Sequence, residues 1–168
     1  MRRNRLILAA LAALSASLAA ASPTVAPLDR FRALSGDWVA AEDGEMAKQG
    51  DLVARYHLTG SGTAVVEDVF PGTPHQMTTV YHLDGPDLVL THYCMGGNQP
   101  RMRAKATAAP KIEFLFDGGT NIDPKRDSHM HEATFEFVGA DELKSTWVEF
   151  EGGKPSMTVK MHLVRKTS

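Results

Sequence analysis

The residues best suited to chemistry are two histidines one residue apart, His129-Met130-His131. On a β-strand, positions i and i+2 lie on one face. Two imidazoles there can share a metal ion at Zn–N distances of about 2.0–2.1 Å. A third ligand would come from His92, Cys94 or His82, and Asn98, Gln99 and Asn121 could orient the rings. Neutral imidazole suits a divalent transition metal such as Zn, Cu, Fe or Ni. His-x-His alone is a weak motif. The plainer reading is that the same residues satisfy buried polar groups near the barrel mouth.

A second cluster is Tyr93, Asn98, Gln99, Arg101 and Arg103. Amide side chains read a polar ligand through paired donors and acceptors, and arginine grips carboxylates with two parallel bonds. The competing reading is ordinary. Gly96-Gly97-Asn98 is a turn, and Arg101, Arg103 and Lys105 form one solvated strand face.

Other chemistries are absent from the pattern. Glu67 and Asp68 are adjacent, so on a strand they face opposite ways and cannot act as an acid–base pair. No serine is framed as a nucleophile elbow. There is no phosphate-binding loop and no dinucleotide fingerprint. Methionines such as Met102, Met157 and Met161 read as core filler rather than a copper site. The lone cysteine, Cys94, excludes an intramolecular disulfide.

These residues must be positioned by elements that the chain announces clearly. Residues 1–21 have the composition of a signal peptide. Arg2, Arg3 and Arg5 precede an apolar run, Leu6 to Ala20, and Ala19-Ala20-Ala21 offers a cleavage site. The expected location is therefore periplasmic or secreted, with a membrane met only through the export signal. Cleavage leaves 147 of 168 residues and takes the formal charge from −2 to −5. A mildly acidic chain with no basic stripe argues against a nucleic-acid partner. The remainder is the size of one domain.

Residues 22–35 are a lead-in with a short helix, since Leu28, Phe31 and Leu34 have helical spacing. Residues 36–168 read as an all-β domain. Ten strand-like segments are expected: Asp37–Ala41, Leu52–Leu58, Thr63–Phe70, Gln76–Leu83, Leu88–Cys94, Arg101–Thr107, Ile112–Phe116, His131–Val138, Leu143–Phe150 and Met157–Val164. Turn signals such as Asp84-Gly85-Pro86 and Gly152-Gly153 separate them. Consecutive hairpins favour a single antiparallel up-and-down β-barrel of eight to ten strands, because closure removes exposed sheet edges. Gly36-Asp37-Trp38 would turn the chain out of the helix and plug one end with an indole that keeps its N–H for a partner. Alternation puts Leu88, Leu90, His92 and Cys94 in one row. It also continues the row Ala133, Phe135 and Phe137 back to His131 and His129. The polar stretch Asp117 to Ser128 reads as a rim or lid.

Leu34-Ser35-Gly36-Asp37-Trp38, Val80 to Gly85, the run His92 to Met102, and His129-Met130-His131 followed by Trp147 give the chain a family likeness. It resembles uncharacterised bacterial secreted proteins with a lipocalin-like domain. The resemblance implies a calycin-type barrel and no particular reaction. A more distant resemblance is to nitrobindin-like haem barrels, whose axial histidine comes from near the C-terminal strand. The corresponding residue would be His162. It lies opposite the apolar row Met157, Val159, Met161 and Leu163, which argues against haem.

The sequence therefore points to an exported barrel that binds a small molecule without catalysing a reaction. Its candidate binding residues are Tyr81, His92, Tyr93, Asn98, Gln99, His129, His131 and Trp147. The alternative is a metal-binding barrel using His92, His129 and His131.

Overall fold

The computed structural model describes residues 26–105 and 110–167. The expected export signal, residues 1–21, lies outside the described residues. A short helix α1 (Pro27–Arg32) leads into ten strands: β1 (Gly36–Ala40), β2 (Leu52–Thr59), β3 (Ala64–Val69), β4 (Met77–Asp84), β5 (Asp87–Tyr93), β6 (Gln99–Ala104), β7 (Lys111–Thr120), β8 (His129–Phe137), β9 (Glu142–Glu151) and β10 (Lys154–Arg165). Each strand pairs antiparallel with its sequence neighbour. β1 also pairs with β10, Trp38 opposite Arg165 and Ala40 opposite Leu163, so the sheet closes into a barrel. The architecture is the up-and-down barrel that the turn spacing implies.

Pro27 at the first helical position supplies a pre-set φ and lacks an N–H that would go unbonded there. The helix lays Leu28 and Phe31 over one end of the barrel, and Leu34 follows; all three are buried. Phe31 stacks on Tyr81 at 4.2 Å and meets Phe135 edge-on at 5.1 Å. Each such aromatic, fully buried, contributes about 1.5–3 kcal/mol.

Trp38 fills the same end, and its Nε1–H donates to the Leu34 carbonyl at 2.6 Å. The Arg165 guanidinium lies 4.6 Å over the Trp38 ring. It also donates to the carbonyls of Ala33 and Ser35, just past the end of α1. These would otherwise be unpaired acceptors. Gly36 sits at φ +125°, and a Cβ there would come within 3.3 Å of Arg165 Nη1. Glycine at this turn thus serves both the backbone conformation and the arginine's approach.

Above this plug lies a buried polar layer. Glu67 on β3 accepts hydrogen bonds from the hydroxyls of Tyr56 at 2.6 Å and Tyr81 at 2.5 Å. Beyond it the interior is no longer filled.

Candidate functional site

In an up-and-down barrel, alternate strands run in opposite directions. The C-terminal ends of β3, β5, β7 and β9 therefore meet the N-terminal ends of β4, β6, β8 and β10 at one rim. That rim is opposite α1, and a cavity of about 600 Å³ opens there. Its size lies within the roughly 300–1,000 Å³ of small-molecule pockets.

The wall is apolar and soft. Met46, Met77, Met95, Met130, Met157 and Met161 all line it, six of the eight methionines in the chain. Trp147, Val69, Phe70 and Val159 add further apolar surface. Methionine is unbranched and polarisable, so such a wall adapts to occupants of different shape.

Two buried polar side chains interrupt this wall. His92, near the end of β5, is 3% exposed. Its Nδ1 is 2.9 Å from Thr79 Oγ1, and its ring lies 5.2 Å from that of Trp147. Nε2 is buried without a protein partner. Burial pushes its pKa down to about 4, so the ring is neutral at pH 7. Asn98, just before β6, is 6% exposed. Its amide donates to the Ser128 carbonyl at 2.7 Å, which ties the β5–β6 turn to the segment before β8. Its Oδ1 is buried and unpartnered. Cys94 also lines the cavity, as a free thiol.

The mouth is acidic. Among the described residues, Asp127, Glu149 and Glu151 line it with a single cation, Arg126. Arg126 is paired with Asp127 at 2.9 Å and with Asp123 at 3.6 Å. That pairing holds the Asp127 carboxyl below the usual carboxylate range. The Ser128 hydroxyl donates to Glu149.

His129 and His131 come within hydrogen-bonding distance of each other across a break in the regular strand alternation. The register shifts between Met130 and Glu132, so His131 is the extra residue of a β-bulge. Ala133 stays opposite Trp147, whereas His129 comes opposite Phe150. The His131 ring is sandwiched between Phe116 at 4.9 Å and Phe150 at 4.0 Å, away from the cavity lining. His129 reaches the cavity edge with both ring nitrogens engaged, Nδ1 with the Asp127 carbonyl at 2.8 Å and Nε2 with His131 Nδ1 at 3.0 Å.

A carbonyl can only accept, so His129 carries its proton on Nδ1 and accepts at Nε2 from His131 Nδ1–H. The His129 lone pair is thus used by its neighbour. Desolvation, and then the charge of His129, lower the His131 pKa. The expected three-histidine metal site is not assembled. His92 instead contacts Thr79 and Trp147. Among the described residues no three His, Cys, Asp or Glu side chains are grouped to hold a metal.

Of the other residues singled out by sequence, Trp147, His92 and Asn98 line the cavity. Tyr81 does not; it belongs to the enclosed layer with Glu67. Tyr93 is 50% exposed and lies outside the lining. Gln99 accepts from Thr120 and Asn121 and so braces β6 against β7. Arg101 and Arg103 pair with Asp84, and Arg103 also with Asp87 and Asp117, in an exterior ion network. His162 bonds Glu142 at 2.9 Å on the outer face, since its neighbour Leu163 points inward opposite Leu143. The chain matches no family model and no curated protein.

Sequence reasoning missed the methionine wall and the buried Glu67. The methionines are scattered over loops and strands, and only their abundance hinted at a common place. Alternation did put Val65, Glu67 and Val69 on one side of a strand. A carboxylate amid valines is the signal that was available.

Proposed function

We propose that this protein is an exported carrier of a small, largely apolar molecule, held in the open end of the barrel. The observation that carries the reading is the cavity of about 600 Å³ with its methionine and tryptophan wall. Interiors are normally packed to the density of organic crystals. A space this large, open at one rim and lined by adaptable side chains, favours occupancy over a purely structural role. The likeness to secreted lipocalin-like proteins and the composition of residues 1–21 support the export part of the reading. At the mouth His129 has both ring nitrogens engaged, which favours binding without chemistry.

The test is native mass spectrometry with elemental analysis on the protein purified from the cells that make it. Uptake of the apolar fluorophore N-phenyl-1-naphthylamine is measured in parallel. A co-purified organic mass, or saturable dye uptake, supports the carrier. A bare polypeptide that takes up no dye overturns it. A stoichiometric metal without organic ligand overturns it in favour of a metal site.

A further inference from the structure

We infer that the occupant carries an uncharged, hydrogen-bond-donating head, such as an alcohol, and that His92 and Asn98 select it over a carboxylate. This rests on the carrier reading and names the class of molecule carried.

The two unpartnered atoms are the basis. Asn98 Oδ1 and His92 Nε2 are buried, belong to residues at least nine-tenths buried, and line the cavity from the same β5–β6 hairpin. An unpaired buried polar atom costs about 1–3 kcal/mol, so an occupant that bonds it recovers that amount. Oδ1 only accepts, because the amide nitrogen of Asn98 already donates to Ser128. The occupant must therefore bring a donor. The Thr79 hydroxyl can either donate to or accept from His92 Nδ1, which leaves Nε2 free to take either role. A hydroxyl can donate to Asn98 Oδ1, and it can donate to or accept from His92 Nε2 in either tautomer.

Charge of either sign is disfavoured. A carboxylate would face the Asn98 oxygen and pass Asp127, Glu149 and Glu151. The mouth's cation, Arg126, is already neutralised by Asp123 and Asp127. An ammonium, though drawn to the acidic mouth, would lose its hydration against the apolar wall around His92 and Asn98. The head that remains is neutral and polar, on an apolar body matched to the methionine wall.

The experiment is displacement of N-phenyl-1-naphthylamine at pH 7.5 by three ten-carbon probes: 1-decanol, decanoate and decyltrimethylammonium. Decanol is expected to displace the dye at a concentration at least tenfold lower than either charged probe. His92→Phe and Asn98→Leu should each weaken decanol by about three- to tenfold, with circular dichroism and a cooperative urea transition showing that the variants fold. Equal or tighter displacement by decanoate or by decyltrimethylammonium overturns the inference and leaves the carrier reading intact. So does unaltered decanol affinity in both variants. Failure of the wild-type protein to take up the dye, with no organic mass co-purified, overturns the carrier reading itself. If either variant does not fold, the wild-type order of the three probes decides alone.

Discussion

The Tyr81 hydroxyl donates to the Glu67 carboxylate at 2.5 Å, with both side chains withdrawn from solvent. Tyr56 donates to the other carboxylate oxygen. The carboxyl that joins three strands thus separates the packed end of the barrel from the open one. Burial raises its pKa, more than the two tyrosine hydrogen bonds lower it.

A carboxyl whose pKa is raised by folding binds its proton more tightly when folded. Its contribution to stability is therefore greatest at low pH and declines as pH rises from the ordinary Glu value through the raised one. Glu67→Gln, which stays neutral, should lack that decline. Urea unfolding of both proteins at several pH values should show the variant gaining relative to wild type as pH rises. Tyr81→Phe leaves one carboxylate oxygen unpaired and should cost about 1–3 kcal/mol in the same assay.

His92 has the opposite sign. Its pKa falls on folding from 6.5 to about 4, so the unfolded chain takes up the proton first. Its contribution is complete above the unfolded value and is lost as pH falls from about 6.5 to about 4, roughly 3 kcal/mol at full extent. His92→Gln should show a correspondingly smaller drop in unfolding free energy between pH 7.5 and pH 4. An equal drop in both proteins would remove His92 as its source.

The chain has two tryptophans. Trp147 lines the cavity, whereas Trp38 is bonded to Leu34 in the plug. Saturation with 1-decanol should change tryptophan emission. Trp147→Phe should abolish that change and leave the residual emission insensitive to the probe. A response that survives in this variant would place the binding event elsewhere.

Arg165 links the last strand to the chain just after α1 and lies over Trp38. Arg165→Ala should destabilise by about 2 kcal/mol, and lysine should recover little of it, because a point charge cannot replace the guanidinium fork. Hydrogen exchange in residues 27–34 should rise before that of the remaining barrel.

Met95, Met157 and Met46 are 61%, 46% and 45% exposed at the mouth, whereas Met102 is fully buried in the core. Mild peroxide should oxidise those three first, as read by peptide mass spectrometry. Sulfoxides make the wall polar, so 1-decanol affinity should fall several-fold over the same course. Saturating decanol should slow the oxidation of Met157.

All ten strands were visible in the alternation and turn signals, with ends displaced by only a few residues, apart from the expected end at Thr107, which lies outside the described residues. The Gly36–Trp38 turn was legible because its geometry is local: one glycine, one indole and one carbonyl four residues back. The way His129 and His131 meet was not legible, because period two holds only without a bulge. Nothing in Met130-His131-Glu132 announces one. Likewise β7 runs on through Asp117 to Thr120 behind a register shift, where turn composition suggested a loop. The cavity was illegible because it depends on which neighbours leave space, a property of ten strands together. His92 and Asn98 were singled out by their chemistry, but their unpaired atoms emerge only when all their neighbours are in place.

The seam between β1 and β10 joins the two extremes of the domain, with Trp38, Val39 and Ala40 facing Arg165, Val164 and Leu163. Closing it brings together segments more than a hundred residues apart, a slow and entropically costly step. A chain emerging in order can lay down nine strands and still present two raw edges. Completion must wait for the final strand, and a protein cut short before β10 would be an adhesive ribbon instead of a vessel.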